Sequence, residues 1–276
     1  MEYLEPVDST HADYGDLYDE LSLWSAPFGL MLLERLPIRA GITILDVGAG
    51  TGFTTIELAQ RCGSSATVIA VDPWAAGLRR LQRKLKHCGI ENVQLLEQDA
   101  ATAPLPEASI DLIVSNLGIN NFDNANAVLQ MCYRVAKPDA RLVLTTNIVG
   151  HMQEFYEVYR ASLIELDLTH QLDALDAHIH HRATLDTLTE MLQQTGFEVL
   201  DVVTDTFPMR FADGSSLLRH YFIRRAFLPA WKTVVPIDAI PSTFEKIEDK
   251  LNALASEDGQ LALTIPMVYV EARKPL

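Results

Sequence analysis

The sequence predicts an α/β protein built on a doubly wound, mostly parallel sheet, and three observations carry that prediction. Between Ile42 and Thr146 short apolar runs alternate with amphipathic helical stretches, the pattern of a parallel sheet covered on both faces. A glycine-rich turn, Gly48-Ala49-Gly50-Thr51-Gly52, directly follows the first of these runs. Aspartates close the first three runs at Asp46, Asp72 and Asp99, on the edge where sheets of this kind bind ligands.

The elements read in order as follows. Residues 42–47 form a first strand ending in glycines, and a helix near 54–61 turns Ile56, Leu58 and Ala59 inward. Residues 67–71 make the second strand, and 74–88 the second helix, with Leu78, Leu81 and Leu85 at helical spacing. Strands at 93–97 and 110–115, a helix at 125–136 and a fifth strand at 140–146 follow, with Lys137-Pro138-Asp139 as the turn before the last. Beyond Gly150 the alternation loosens. Helices are expected at 151–168 and at 184–195, the latter closed by Gly196, then a strand at 197–204. Helices around 215–227 and 242–256 precede an alternating final strand at 261–272. No Pro/Ser-rich linker or internal repeat separates these parts, so the expectation is one domain over 1–276. It comprises an N-terminal helical cap (1–40), a ligand-binding core (41–147) and a substrate-side half (148–276) with a helical insertion at 205–260.

Composition narrows the function classes. With 48% hydrophobic residues in 276, the chain can bury one substantial core. Its longest apolar runs fall far short of the ~20 residues of a membrane-spanning helix. Residues 1–10 are acidic and lack a secretory start, so a cytoplasmic location is expected. Lys and Arg number 22 against 37 acidic residues, for a net charge of −15, which opposes a phosphate-tracking surface and argues against nucleic acid as a partner. The basic cluster of Arg79, Arg80, Arg83, Lys84 and Lys86 reads as the solvated side of a helix. Cys62, Cys88 and Cys132 have no metal-ligand spacing and read as reduced thiols on helices.

The glycine turn is the centre of the argument. Glycines let the backbone turn sharply and approach a ligand closely. The spacing departs from the dinucleotide fingerprint, because the third glycine comes one place early and is followed by Phe53. Asp46, expected at the mouth of the turn, repels a pyrophosphate but attracts the amino group of a cationic ligand, directly or through water. Asp72, 20 residues after Gly52, suits a pair of ribose hydroxyls, and equally suits the cap of the helix from Trp74. Asp99 is placed to meet an adenine amino group.

With these residues in place, the segments ILDVGAGTGFTT (44–55), VIAVDP (68–73), LLEQDA (95–100), IDLIVSNLGINNF (110–122) and AKPDARLVLTTN (136–147) resemble the successive motifs of class I S-adenosylmethionine (SAM)-dependent methyltransferases. The likeness covers about residues 14–147 and is closest to the small-molecule branch typified by quinone-biosynthesis enzymes. It implies a Rossmann-like sheet of seven strands with the last antiparallel, helical lid insertions, SAM as cofactor and S-adenosylhomocysteine as product. Residue by residue, it implies the loop Gly48, Ala49, Gly50, Thr51 and Gly52 with Asp46 around the methionine moiety, and Asp72 on the ribose. Pro73 and Trp74 would lie beside the adenine, Asp99 and Ala100 at its edge, and Asn116 with Leu117 below the transferred methyl. Tyr18 and Trp24, from the N-terminal cap, are expected near SAM. The sequence after Asn116 is Leu117-Gly118-Ile119, not the Asn-Pro-Pro-Tyr type of enzymes that methylate nucleobase or glutamine nitrogens, so those substrates are disfavoured.

For the substrate side, Asn120, Asn121, His151, Tyr156, Arg219, His220 and Tyr221 are the candidates, His151 being the strongest for a base. Methyl transfer requires no fixed triad, because the cofactor supplies the reactivity. Arg210, Arg219, Arg224 and Arg225 could bind an anionic group, against the alternative of pairing with surface carboxylates. His178-Ile179-His180-His181 lacks a metal-ligand pattern and is expected to be a polar loop; no metal is expected. The apolar insertion, with Phe211, Tyr221, Phe222, Phe227 and Trp231, reads as a lid over a small-molecule substrate or as the face of a homodimer. Two competing readings remain at this level, an NAD-dependent oxidoreductase and a non-catalytic SAM-binding regulator.

Overall fold

The computed structural model describes residues 1–5, 16 and 24–276. Seven strands form one sheet: β1 (Thr43–Val47), β2 (Thr67–Val71), β3 (Val93–Leu96), β4 (Ile110–Asn116), β5 (Ala136–Asn147), β6 (Glu198–Phe211) and β7 (Leu261–Arg273), in the order β3-β2-β1-β4-β5-β7-β6. The first five pair in parallel, and β7 runs antiparallel to β5. The predicted Rossmann-like, mostly parallel architecture is therefore present. The chain winds outward from β1 to β3, then returns to lay β4 on the other side of β1. The carboxyl ends of β1 and β4 thus meet at the point where winding reverses, the place where such sheets bind ligands.

The described α-helices are α1 (Ala26–Leu33), α2 (Phe53–Arg61), α3 (Ala75–Cys88), α4 (Ala125–Val135), α5 (Gln153–Glu165), α6 (Leu172–His180), α7 (Leu185–Thr195), α8 (Gly214–Arg219), α9 (Tyr221–Ala226), α10 (Leu228–Lys232) and α11 (Ile240–Asp258). Helix α3 shows how composition fixes an element. Leu78, Leu81 and Leu85 are buried and pack with Ala49 and Ala70 in one cluster. Its arginines and lysines keep the other side wet, with Arg80 and Arg83 paired to Asp16, and Gly89 ends it in the left-handed conformation.

The described residues within 12–147, 183–205 and 267–276 make one compact unit, and those within 1–11, 148–182 and 206–266 make a second. The first holds the glycine turn and all five parallel strands. In the second, Trp231, Phe155 and Tyr159 are fully buried; the Phe155 and Trp231 rings stack with centroids 3.9 Å apart.

Several local expectations change. The single helix expected over 215–227 is two short ones, because His220 takes an extended conformation (φ −62°, ψ 127°) between α8 and α9, and α10, with Pro229 in its first turn, follows at Leu228. The histidine-rich segment expected to be a loop is largely helical. His178 and His180 lie in α6, which buries Leu175, and Tyr156 and His178 meet at 3.2 Å. Strand β5 absorbs the predicted turn. Its pairing with β4 jumps from Ala136 to Arg141, so Lys137-Pro138-Asp139 bulges out with Asp139 at φ 65°. Lys137, the first residue of that bulge, holds the Asp111 carboxylate with its ammonium at 2.7 Å.

No helix among the described residues is long and apolar enough to cross a membrane.

Candidate functional site

The turn after β1 is built from three left-handed glycines, Gly48 (φ 78°), Gly50 (φ 54°) and Gly52 (φ 90°). An L side chain is strained in that region, so the alternation of glycine with Ala49 and Thr51 follows from the path of the backbone. The amides of Gly48 and Ala49 both donate to the carbonyl of Val71, at 2.9 and 3.2 Å, which pins the turn to the end of β2. Gly52 then caps α2. The early third glycine, odd against a dinucleotide loop, is explained by this cap and by Leu81, which fills the space a Gly52 side chain would need.

Asp72 ends β2 and is 9% exposed. One carboxylate oxygen accepts the Gly50 amide at 2.8 Å and the other the Trp74 amide at 2.7 Å. Asp72 thus closes a local turn ahead of α3, whose N-cap Trp74 makes no side-chain cap bond, and each oxygen keeps lone-pair capacity for a further donor. Burial raises its pKa, against the opposing pull of those two amides. Trp74 lies over the helix backbone at Gly77, where a Cβ would come within 2.4 Å of its ring. Gly77 was missed by sequence reasoning, although a glycine inside a helical run is itself a signal of close packing.

Asp46 lies deeper than expected. It is fully buried, not at the mouth of the turn. Its Oδ2 accepts the hydroxyls of Thr54 (2.7 Å) and Thr55 (2.6 Å) in the first turn of α2. Its Oδ1 is buried with no hydrogen-bond partner among the described residues. Burial pushes the carboxyl up to about 6 despite the two threonines, with Asp72 adding repulsion. The threonines were also missed; a Thr-Thr pair opening a helix eight residues after a strand-end aspartate is the signal.

The sign of this shift makes a prediction. A carboxyl whose pKa rises from 3.8 to about 6 on folding contributes stability fully present below pH 3.8 and lost as pH rises through 6. Asp46→Asn removes that dependence. The stability difference between variant and parent should therefore move by about 2 kcal/mol in favour of the variant from pH 4.5 to 7.5. Urea unfolding at both pH values measures it, and a difference that stays constant refutes the assignment.

The other expected cofactor residues are placed as follows. Asp99 is exposed and caps a short 3-10 turn by accepting the Ala101 amide at 2.9 Å, with Ala100 buried behind it. Pro73 is exposed. Asn116 at the end of β4 accepts the Thr145 hydroxyl at 2.7 Å and donates to the Ser25 carbonyl at 3.3 Å, so its amide is fixed from both sides. Leu117 follows at φ 64°, which turns the chain sharply off the strand. Trp24 is buried, its ring 5.6 Å from that of Phe28. Tyr18 lies outside the described residues.

Of the substrate-side candidates, Asn120 belongs to the same unit as the turn. Its amide nitrogen lies 2.8 Å from both the Thr146 hydroxyl and the Asn147 carbonyl, tying the loop after β4 to the end of β5. His151, His220 and Tyr221 belong to the other unit. His151 is buried and stacks on Phe227, centroids 5.3 Å apart. Burial holds its pKa well below the ordinary histidine range, with Arg182 and His178 adding to the effect, so it is neutral at pH 7. His220 meets Phe211 edge-on, and its Nδ1 has no hydrogen-bond partner among the described residues. Tyr221 is half-buried at the start of α9. Arg219 is paired with Glu248 at 2.6 Å and lies over the Tyr3 ring, the surface pairing weighed as its alternative role.

A left-handed glycine turn at the reversal point of a parallel sheet, with a carboxylate ending β2, defines a nucleotide-cofactor α/β protein. Comparison with known proteins is more specific. Residues 44–139 match the methyltransferase domain family. The ubiquinone/menaquinone biosynthesis C-methyltransferase UbiE of Escherichia coli is 30% identical over 176 residues, covering 59% of this chain and 69% of UbiE. The chain belongs to the class I SAM-dependent methyltransferases, with SAM as cofactor and S-adenosylhomocysteine as product. Two solved structures share the fold, each with a TM-score of 0.60. The YcgJ protein of Bacillus subtilis is 17% identical and covers 91% of this chain and 99% of its own. The Haemonchus contortus phosphoethanolamine N-methyltransferase 2, solved with SAM, is 19% identical and covers 97% of this chain and 58% of its own.

Proposed function

We propose that the chain transfers the methyl group of SAM to a small-molecule acceptor by in-line displacement, with the cofactor held on the turn after β1. The observation that carries this reading is Asp72. Its carboxylate braces the Gly50 and Trp74 amides and retains acceptor capacity at the end of β2, where a ribose would present two hydroxyls. The left-handed glycines offer backbone without side chains for close approach, and the buried Asp46 supplies negative charge beneath a cationic ligand.

SAM supplies an electrophilic methyl on a sulfonium; the chain's own residues bind and align. Gly48, Ala49, Gly50, Thr51 and Gly52 cradle the methionine end. Asp72 holds the ribose, Pro73 and Trp74 wall the adenine, and Asp99 and Ala100 close its edge. Asn116, fixed by Ser25 and Thr145, and Leu117 bound the methyl side. Asp46 acts as a positioning residue through Thr54 and Thr55. The transfer needs no dedicated base where the acceptor is already electron-rich, such as a phenolate or an activated ring carbon. The name of the UbiE relative, a C-methyltransferase, makes quinol-like rings the first acceptors to try.

Isothermal titration with SAM and separately with NAD tests the cofactor half. Saturable SAM binding without NAD binding is expected, and the reverse overturns the reading. Transfer of labelled methyl to a panel of quinols, phenols, amines and thiols tests the rest. SAM binding with no turnover across the panel would favour a non-catalytic regulator.

A further inference from the structure

The amide network at the ends of β4 and β5 leaves one donor over. Asn120 Nδ2 faces three oxygens, the Thr146 hydroxyl and the Asn147 carbonyl at 2.8 Å each and Asn147 Oδ1 at 3.0 Å. Its two hydrogens are spent on them, so Asn120, a substrate-side candidate from the sequence, has no N–H left for a ligand. The same contacts fix its neighbour. Asn147 Oδ1 must point at Asn120, because the opposite orientation would set two NH2 groups against each other at 3.0 Å. The Asn147 Nδ2 group is thereby turned away from Asn120, and its hydrogens meet no acceptor among the described residues.

Asn147 is the last residue of β5 and is 6% exposed. A polar side chain so enclosed ordinarily has its donors paired, because leaving one without an acceptor is costly. Its position indicates where the acceptor comes from. Strand β5 runs parallel beside β4 with Thr145 opposite Asn116, and the Thr145 hydroxyl donates to Asn116 Oδ1. Ligands of such sheets bind beyond the carboxyl ends of the strands, where Asn147 stands. A neutral amide N–H suits a carbonyl, hydroxyl or phenolate oxygen and offers nothing to an ammonium.

We propose that Asn147 determines acceptor specificity, its amide donating a hydrogen bond to an oxygen of the methyl acceptor, so that acceptors carrying such an oxygen are preferred to those of the same shape without one. This rests on the methyl transfer proposed above, with Asn116 on the methyl side. The protein saturated with S-adenosylhomocysteine is titrated calorimetrically at pH 8 with 1-tetralone, a fused-ring ketone, and with tetralin, the same skeleton without the oxygen. The parent should bind tetralone about fivefold or more tighter than tetralin. In Asn147→Leu the two probes should bind within about twofold of each other, while Asn120 keeps the Thr146 hydroxyl and the backbone carbonyl of residue 147. Asn147→Asp keeps an oxygen toward Asn120 but has no N–H; it should erase the preference as well, and it decides the matter if the leucine variant unfolds. A merely structural Asn147 would weaken both probes alike and leave their ratio as in the parent. That result overturns the proposal, and so does a parent with no preference or no saturable tetralone binding. SAM affinity should stay within about threefold of the parent in both variants; a larger fall places Asn147 on the cofactor instead. A parent that binds no SAM overturns the methyl-transfer reading itself, whereas SAM binding with an unchanged probe ratio overturns only the role of Asn147.

Discussion

Gly52→Ala is expected to destabilise the protein by about 3 kcal/mol, from a left-handed backbone penalty of about 1–2 kcal/mol and overpacking of about 1–3 kcal/mol. Gly52 sits at φ 90°, ψ 28° as the cap of α2. A Cβ there would lie 2.1 Å from Leu81 Cδ1, with Cγ and Cδ2 at 3.0 and 3.1 Å, so the whole isobutyl group must move. Leu81 is fully buried in the cluster with Ala49, Ala70, Leu78 and Leu85 and has little room to do so. The two costs are separable. In a Leu81→Ala background the overpacking part vanishes while the backbone part remains, so the double variant should be more stable than the sum of the single losses by about 1–3 kcal/mol. Denaturant unfolding of the four proteins measures this coupling. A single-variant loss below about 1 kcal/mol, or additive losses, would show that the turn tolerates a side chain.

Asp72→Ala should lower SAM affinity by about 30-fold or more, the worth of two lost charge-assisted hydrogen bonds. The same substitution strips the Gly50 and Trp74 amides of their acceptor, with a stability loss of about 1–3 kcal/mol. Calorimetric titration well below the variant's unfolding midpoint separates binding from folding. Asp72→Asn sharpens the test. Each orientation of its amide sets an NH2 group against one of the two backbone N–H donors, so the asparagine should rescue neither property in full. SAM affinity within threefold of the parent in both variants would remove Asp72 from the cofactor site.

Chain chemistry made the core readable. Between residues 42 and 146 the strands are apolar runs and α3 carries Leu78, Leu81 and Leu85 at helical spacing, so local pattern and buried face agree. The first helix was legible because glycines stop its strand, and Trp74 to Cys88 because Asp72-Pro73 and Gly89 bracket it. The second half was harder. Leu217, Leu218, Phe222, Ile223, Leu228 and Trp231 are all buried, so apolar residues run on through the breaks at His220 and Phe227. A segment rich in apolar residues on every side gives no single helical face whose interruption would show where the chain bends.

What the sequence determined by itself is the order of the strands along the chain, the glycine turn and the carboxylates at the strand ends. Each of these depends on neighbouring residues, on backbone freedom and on alternation of apolar and polar character. Only the tertiary structure decided how deep those carboxylates lie and what they hold. It put Asp46 beneath the turn, bound to Thr54 and Thr55, and turned Asp72 into a brace between Gly50 and Trp74. It also brought Leu4 and Glu5 to Arg224 and Lys232, more than 200 positions away in sequence. Depth and long-range pairing follow from how separate segments pack around a common core, and no local pattern encodes them.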